Sequence, residues 1–291
     1  MKLSVITDQL YMDFEKSVYE LKKLGISNIE IHSLWNKTIE ELDDTEIKKA
    51  EEIICKYKMK VSCLSTTLFL MTPLYTNINK LEKFSNKFKT FNGSYKEHIS
   101  KLEECIEMSK RFDTNFIRVF PFRREGGVNK NINEVINDIS DKFRDLVKLL
   151  EKGNKILIME NCPYTYLPKV SLTNKVVEKV ESNNLKLLFD FGNNFKSNKR
   201  VSIDEYKINV FEDYHRAKEN IVYCHVKDYK KEESNYIHVG FAKGDVGCKE
   251  IIRELNKNQF KFFISLESEV DYKQTITSIC DIVKFYRDEF E

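Results

Sequence analysis

A (β/α)8 barrel, the TIM-barrel architecture of the α/β class, is the fold this sequence predicts, and three observations carry the prediction. Eight short runs rich in Ile, Val, Leu and Phe recur along the chain, each of strand length and mainly apolar, as strands covered on both faces are. Amphipathic helical patterns fall between them, and 291 residues accommodate the roughly 250 that eight such units take. The turn after the first run, "TDQLYMD", contains no glycine, whereas a doubly wound open sheet usually carries a glycine-rich first turn where it binds a nucleotide.

The runs are LSVIT (3–7), NIEIHS (28–33), KVSCLST (60–66), NFIRVF (115–120), KILIMEN (155–161), LKLLFD (185–190), IVYCHV (221–226) and FFISLE (262–267). The clearest helix spans 131–151, where Ile132, Val135, Ile136, Ile139, Phe143, Leu146, Val147 and Leu150 form one apolar face and Asp, Glu, Lys and Asn the other. Residues 45–57, 95–112, 205–218, 247–257 and 273–288 read the same way. One connection, 67–92, is much longer than the rest. Its Phe, Leu, Met and Tyr content suits a cover over a small-molecule pocket or, equally, a helical insertion packed on the rim.

Four Pro and nine Gly leave no room for a flexible linker, so residues 1–291 are expected to form a single domain. The 48 Lys and Arg against 46 Asp and Glu give no broad pull toward nucleic acid or anionic membrane, and neither is expected as a partner. Asp8 and Asp13 interrupt any signal-peptide apolar region. The longest apolar runs, LKLLFDF and FKFFISL, fall far short of the roughly 20 residues of a membrane span. Seven scattered Cys fit reduced thiols and a cytoplasmic location.

Barrel enzymes gather their chemistry where the strands end. The fifth strand ends in Glu160, the sixth in Asp190, the seventh in His225 and the eighth in Glu267. Three carboxylates facing one another repel unless something cationic sits among them, and an oxygen-rich set with one imidazole suits Mn2+, Mg2+ or Co2+ better than a thiolate-type zinc site. Lys227 and Asp228 follow the seventh strand and have solvated rim charges as their plain reading. Cys224 adjoins His225 but faces the other way, which argues against a Cys-His catalytic pair. Arg118 reads equally as a structural ion-pair partner or a substrate anchor, and Trp35 as core packing or a pocket wall. His98 and His215 lie in helical patterns and are assigned to the surface.

At these residues the chain resembles the sugar phosphate isomerase/epimerase superfamily, the xylose isomerase-like barrels that include ketose 3-epimerases, hydroxypyruvate isomerases, inosose dehydratases and endonuclease IV. NIEIHSLWNKTIEELDDTEI resembles the family's second strand and the loop after it. IRVFPF, LIMENCP, LLFDFGNN, CHVKDY, AKGDVGCKEII and FISLE resemble its fourth to eighth strand signatures, in order. The resemblance spans nearly the whole chain. It implies that Glu160, Asp190, His225 and Glu267 bind one divalent metal, with Mn2+ the first expectation and Mg2+, Co2+ or Zn2+ the alternatives. It also implies that Glu160 and Glu267 move protons, and that His32, Trp35, Arg118, Asn193 and Lys227 meet the substrate. The chain departs from the family pattern at His32, where Arg is frequent, at Asn193, where His is frequent, at Ala242 in place of a glycine before Gly244 and Asp245, and in the SEV that follows Glu267.

The function expected is that of a metal-dependent sugar or sugar-phosphate isomerase or epimerase. One Glu removes a proton beside a carbonyl to give a metal-bound enediolate, and the other returns it. A dehydratase of the inosose dehydratase type is the alternative on the same site. An endonuclease IV-like phosphodiesterase fits less well, since only five His are present and that chemistry uses a His-rich metal cluster. A sugar-binding barrel without turnover is the remaining class, and the reading admits a homo-oligomer.

Overall fold

Eight parallel strands close on themselves in the computed structural model, which describes residues 1–75, 81, 88–150, 153–197, 208–233 and 235–290. The barrel strands are β1 (Lys2–Ile6), β2 (Asn28–Ile31), β5 (Lys60–Leu64), β6 (Phe116–Val119), β7 (Ile156–Glu160), β8 (Leu185–Asp190), β9 (Ile221–Val226) and β12 (Phe263–Leu266), and β1 closes the ring between β12 and β2. Two small antiparallel hairpins extend from strand ends: β3 (Ser33–Leu34) with β4 (Lys37–Thr38), and β10 (Asp228–Glu232) with β11 (Asn235–Val239). All eight expected runs are strands of this barrel.

The helices are α1 (Phe14–Lys23), α2 (Asp44–Lys56), α3 (Tyr95–Arg111), α4 (Ile132–Lys148), α5 (Val170–Val180), α6 (Phe191–Lys196), α7 (Val210–His215), α8 (Cys248–Lys257) and α9 (Tyr272–Phe290). Reciprocal caps fix where several begin. Asp43 and Glu46 cap α2, Ser94 and Glu97 cap α3, and Asn131 and Glu134 cap α4, each pair satisfying backbone N–H groups that the first turn leaves open. Of the expected helix 205–218, Val210–His215 is helical, while its start through residue 207 lies outside the described residues.

Period-two alternation sorts the strand residues between two compartments. Outward residues such as Val5, Ile29, Leu187, Cys224 and Ile264 join the helices in the main apolar core. Inward residues Cys63, Phe116, Ile158, Leu188 and Tyr223 fill the barrel floor. Further along the same inward rows come Arg118 after Phe116, Glu160 after Ile158, Asp190 after Leu188, and His225 after Tyr223. All four are buried. Alternation therefore carries the polar groups to one end, above an apolar plug.

Two expectations are corrected here. His98 is wholly buried on the inner face of α3, one turn before Leu102, and its Nδ1 accepts the Phe69 N–H at 3.1 Å. Burial pushes its pKa down to about 4. Lys227 and Asp228 are not solvated rim charges. Both are buried, and Asp228 accepts N–H groups from Tyr229 (2.9 Å), Gly244 (2.9 Å) and Val246 (3.3 Å). That carboxylate ties the 240s loop to the root of β10. His215 is exposed, as expected. Among the described residues no helix is long and apolar enough to cross a membrane.

Phe143, buried in α4 against Phe69 and Phe122, tests the packing of the outer layer. Phe143→Ala is expected to cost about 3–5 kcal/mol in urea denaturation followed by circular dichroism. A loss below about 1 kcal/mol would show that α4 does not dock as described.

Candidate metal centre

Glu160, Asp190, His225 and Glu267 each offer a ligand atom, and these atoms all lie within 4.8 Å of one another. His225 Nδ1 stands 3.2 Å from Glu267 Oε2, 3.9 Å from Glu160 Oε2 and 4.0 Å from Asp190 Oδ2. The register explains the convergence, since Asp190 and Ser265 flank His225 directly on the neighbouring strands.

Each member is held from outside the cluster. Asp190 uses Oδ1 to cap α6 through the Asn193 N–H (2.7 Å), while Asn161 brackets its backbone with two hydrogen bonds. Glu160 accepts from Arg118 at 3.0 Å and from the Asn193 side chain at 2.9 Å. Arg118 also donates to the Ser65 and Thr66 carbonyls (both 3.1 Å), so the guanidinium is fixed in place. Lys227 reaches Glu267 at 2.8 Å, Asp190 at 3.2 Å and Glu269 at 2.6 Å. Gly192 makes room for it: a Cβ there would sit 2.9 Å from Lys227 Cβ and 2.8 Å from the Tyr229 ring.

What remains unsatisfied points inward. Asp190 Oδ2, His225 Nδ1 and Glu267 Oε2 are buried and lack a hydrogen bond of good geometry, despite lying within ion-pair distance of one another or of Lys227. Orphaned buried polar atoms are costly, and three converging on one point fit a bound cation. The charges agree. Among the described residues, the buried carboxylates of Glu30, Glu160, Asp190 and Glu267 are paired with two permanently cationic side chains, Arg118 and Lys227, and Lys227 also serves Glu269. One divalent cation beside a neutral His225 would offset the excess of negative charge. Without it the imbalance falls on the titratable groups. Burial, with Glu160 and Glu267 adding to it and Lys227 opposing, pushes Asp190 up to about 7. Burial would also raise Glu267, but Lys227 and His225 overcome it and hold that carboxyl well below its usual range. His225 rises well above an ordinary histidine, since Glu30 and Glu267 outweigh its burial.

The cluster lies at one side of a cavity of about 450 Å3, within the range of small-molecule sites. His32, Arg118, Asn193 and Lys227 line it. Trp35 does not. It occupies, with Asn36, the positive-φ turn of the β3–β4 hairpin, packs edge-on against Phe14, and lies beneath Lys49. The cavity's other side is apolar, with Leu70, Phe120 and Cys162 backed by Met71, Phe88 and Tyr164. Phe88 comes from the long 67–92 connection and stacks on His32 at 4.5 Å. The middle of that connection, 76–80 and 82–87, lies outside the described residues.

Several participants were absent from the expected set. Glu30 contacts His225, Asp8 contacts His32, and Glu269 joins Lys227 to His238. Glu30 left a visible trace, an acid in the middle of the apolar run NIEI. Asp8, Glu269 and His238 sit on loops or the hairpin and follow no period that would flag them.

The barrel and the buried carboxylate–histidine cluster at its strand ends together define a class, (β/α)8 barrels whose strand ends bear a group of side chains able to hold a metal ion. The chain belongs to the xylose isomerase-like TIM barrel family, whose model matches residues 18–288. No curated protein sequence matches it. Among solved structures it is similar to D-psicose 3-epimerase from Clostridium cellulolyticum H10, with a TM-score of 0.72, 12% identity and 100% of each chain covered. It is also similar to the probable 3-DHS dehydratase of petrobactin synthesis from Bacillus anthracis, with a TM-score of 0.69, 17% identity, and 97% of this chain and 99% of that one covered. The IOLI protein with a bound zinc atom gives a TM-score of 0.68 at 16% identity, over 99% of this chain and 97% of that one. At such identities the likeness establishes the barrel.

His32 supplies a pH test. Its Nδ1 faces Asp8 Oδ2 at 2.7 Å and its Nε2 faces the Lys89 carbonyl at 3.1 Å, a pair of acceptors that the imidazolium satisfies best. Burial lowers its pKa, but Asp8 more than offsets this and the net shift is upward. A raised histidine pKa adds stability that is complete below the unfolded value near 6.5 and is lost as pH rises through the folded value. Asp8→Asn should therefore cost on the order of 1–3 kcal/mol at acidic pH, with the deficit shrinking as pH rises. Urea denaturation across a pH series checks this, and a pH-independent deficit would refute it.

Proposed function

We propose that this protein is a divalent-metal-dependent isomerase or epimerase of a small sugar or sugar phosphate, with Glu160 and Glu267 as its acid/base pair and Mn2+ as its ion. The observation that carries this reading is the convergence of four buried ligand atoms within 4.8 Å, three of them without a hydrogen bond. Glu160, Asp190, His225 and Glu267 would hold the ion. When bound, such an ion supplies Lewis-acid polarisation of a carbonyl and stabilises the negative charge that develops on its oxygen.

The chain's own residues do the rest. Glu160 ends β7 and Glu267 follows β12, with β8 and β9 between the two strands, and in this reading the two carboxylates approach a small substrate from different directions. One removes the proton beside the carbonyl and the other returns a proton, to the opposite face for epimerisation or to the neighbouring carbon for isomerisation. Lys227 and Arg118 each hold one of these carboxylates through an ion pair. Such restraint lowers the cost of orienting the base. In this reading Asn193 and Lys227 bind substrate hydroxyls, His32, with its ring nitrogens held by Asp8 and the Lys89 carbonyl, walls the pocket, and Phe88 with Phe120 gives the carbon skeleton an apolar surface. The oxygen-rich donor set favours Mn2+ over a soft-ligand metal.

Incubating Mn2+-loaded protein in D2O with ketoses, aldoses and their phosphates, followed by NMR, tests the reading. Deuterium should enter at the carbon beside the carbonyl, and Glu160→Gln and Glu267→Gln should each slow exchange by about 10²–10⁴-fold. Unchanged exchange in either variant would remove that glutamate from the role, and loss of water from the substrate would identify a dehydratase instead. His225→Ala should lower bound manganese, measured by atomic emission after dialysis. Undiminished stoichiometry would defeat the ligand assignment.

A further inference from the structure

We infer that Glu30 is a positioning residue for the metal centre: it holds His225 as the Nε2–H tautomer, so that the Nδ1 lone pair is the one presented to the cluster. The inference rests on the reading of His225 as a ligand. Glu30 lies on β2, is completely buried, and is separated from β9 in the barrel by β1 and β12. Its Oε1 is 2.9 Å from His225 Nε2, and its Oε2 accepts the Tyr223 hydroxyl at 2.9 Å. Both carboxylate oxygens are therefore engaged, and neither is among the atoms that converge on the candidate site.

The support continues downward. Tyr223 Oη lies 2.8 Å from Ser62 Oγ, which lies 2.7 Å from Ser4 Oγ and also donates to the Ile29 carbonyl at 3.0 Å. This buried chain links β9 to β5, β1 and β2 and holds Tyr223 in place, and Glu30 cannot turn without losing its contacts with both His225 and Tyr223. An ionised carboxylate only accepts hydrogen bonds, so Nε2 must carry the proton. A neutral imidazole has one N–H, and the lone pair then belongs to Nδ1. Nδ1 is the nitrogen that lies among Glu267, Glu160 and Asp190. Tyr223 and His225, two residues apart on β9, face the same side, which lets one carboxylate hold both.

Outer carboxylates of this kind fix ring orientation and raise ligand basicity. Mn2+ affinity, followed by electron paramagnetic resonance titration, should weaken about 10- to 100-fold in Glu30→Ala. It should recover partly in Glu30→Gln, whose amide oxygen still accepts from Nε2–H. In Zn2+-loaded protein with 15N-labelled histidine, His225 should show a protonated Nε2 in wild type and in Glu30→Gln. Circular dichroism identifies variants that stay folded. If Glu30→Ala does not fold, the wild-type tautomer and the Glu30→Gln affinity decide the matter. Unchanged Mn2+ affinity in a folded Glu30→Ala, or a proton on Nδ1 of the Zn2+-loaded wild type, overturns the inference while leaving the centre intact. Wild-type protein that takes up neither ion overturns the proposed function, and this inference with it.

Discussion

Charge balance among side chains buried at one end of the barrel is the constraint on which the rest of this structure depends. Glu30, Glu160, Asp190 and Glu267 are all buried at one end of the barrel. Carboxylates cannot be desolvated together without opposing charge. Arg118 and Lys227 supply part of it from within the cluster, each placed by contacts that extend beyond the carboxylate it neutralises. Two such cations against four buried carboxylates leave that compensation short, and burial pushes Asp190 up to about 7. The shortfall is located at the point where unsatisfied atoms of three strands meet, and it is why the geometry reads as a cation site rather than as a structural ion-pair network.

The barrel makes that concentration of charge tolerable by separating it from the apolar packing. Alternation along each strand sends one row of side chains outward to the helices and the other inward, and the inward rows change character along their length. Phe116, Ile158, Leu188 and Tyr223 close the floor. The next inward residues are Arg118, Glu160, Asp190 and His225. One residue of register slip on any of these strands would exchange the two rows, exposing the helices to charge and the site to methyl groups. The same pattern that builds the core thus fixes the site.

The barrel was legible because a strand covered on both faces has a composition that short sequence windows resolve, and all eight runs are strands. The four cluster residues were legible for the same reason, as polar groups on runs that otherwise exclude them. Other features were hidden for physical reasons. Helix α5, "VSLTNKVVEKV", is buried on most of its surface and so lacks the polar face that reveals a period. His98 was misplaced because a histidine on an amphipathic helix gives no sign of which side it faces until the neighbouring Phe69 N–H is seen to need an acceptor. Glu30 was quoted within a motif yet given no role, since its meaning depends on Tyr223 and His225, nearly two hundred residues away. Trp35 illustrates the reverse case. Its rarity in the chain drew attention, while its turn geometry directs it to Phe14.

Gly192 carries an evolutionary implication. Any side chain at that position would collide with the stem of Lys227 and the ring of Tyr229, and the ammonium would lose its grip on three acids at once. This flank of the mouth is therefore closed to gradual remodelling, because even the smallest replacement disturbs the electrostatics rather than the shape alone. The opposite lip, formed by Leu70, Phe88 and Phe120, bears no such burden. Lineages descending from this chain would be free to acquire new substrates from that side while inheriting the chemistry unchanged from the other.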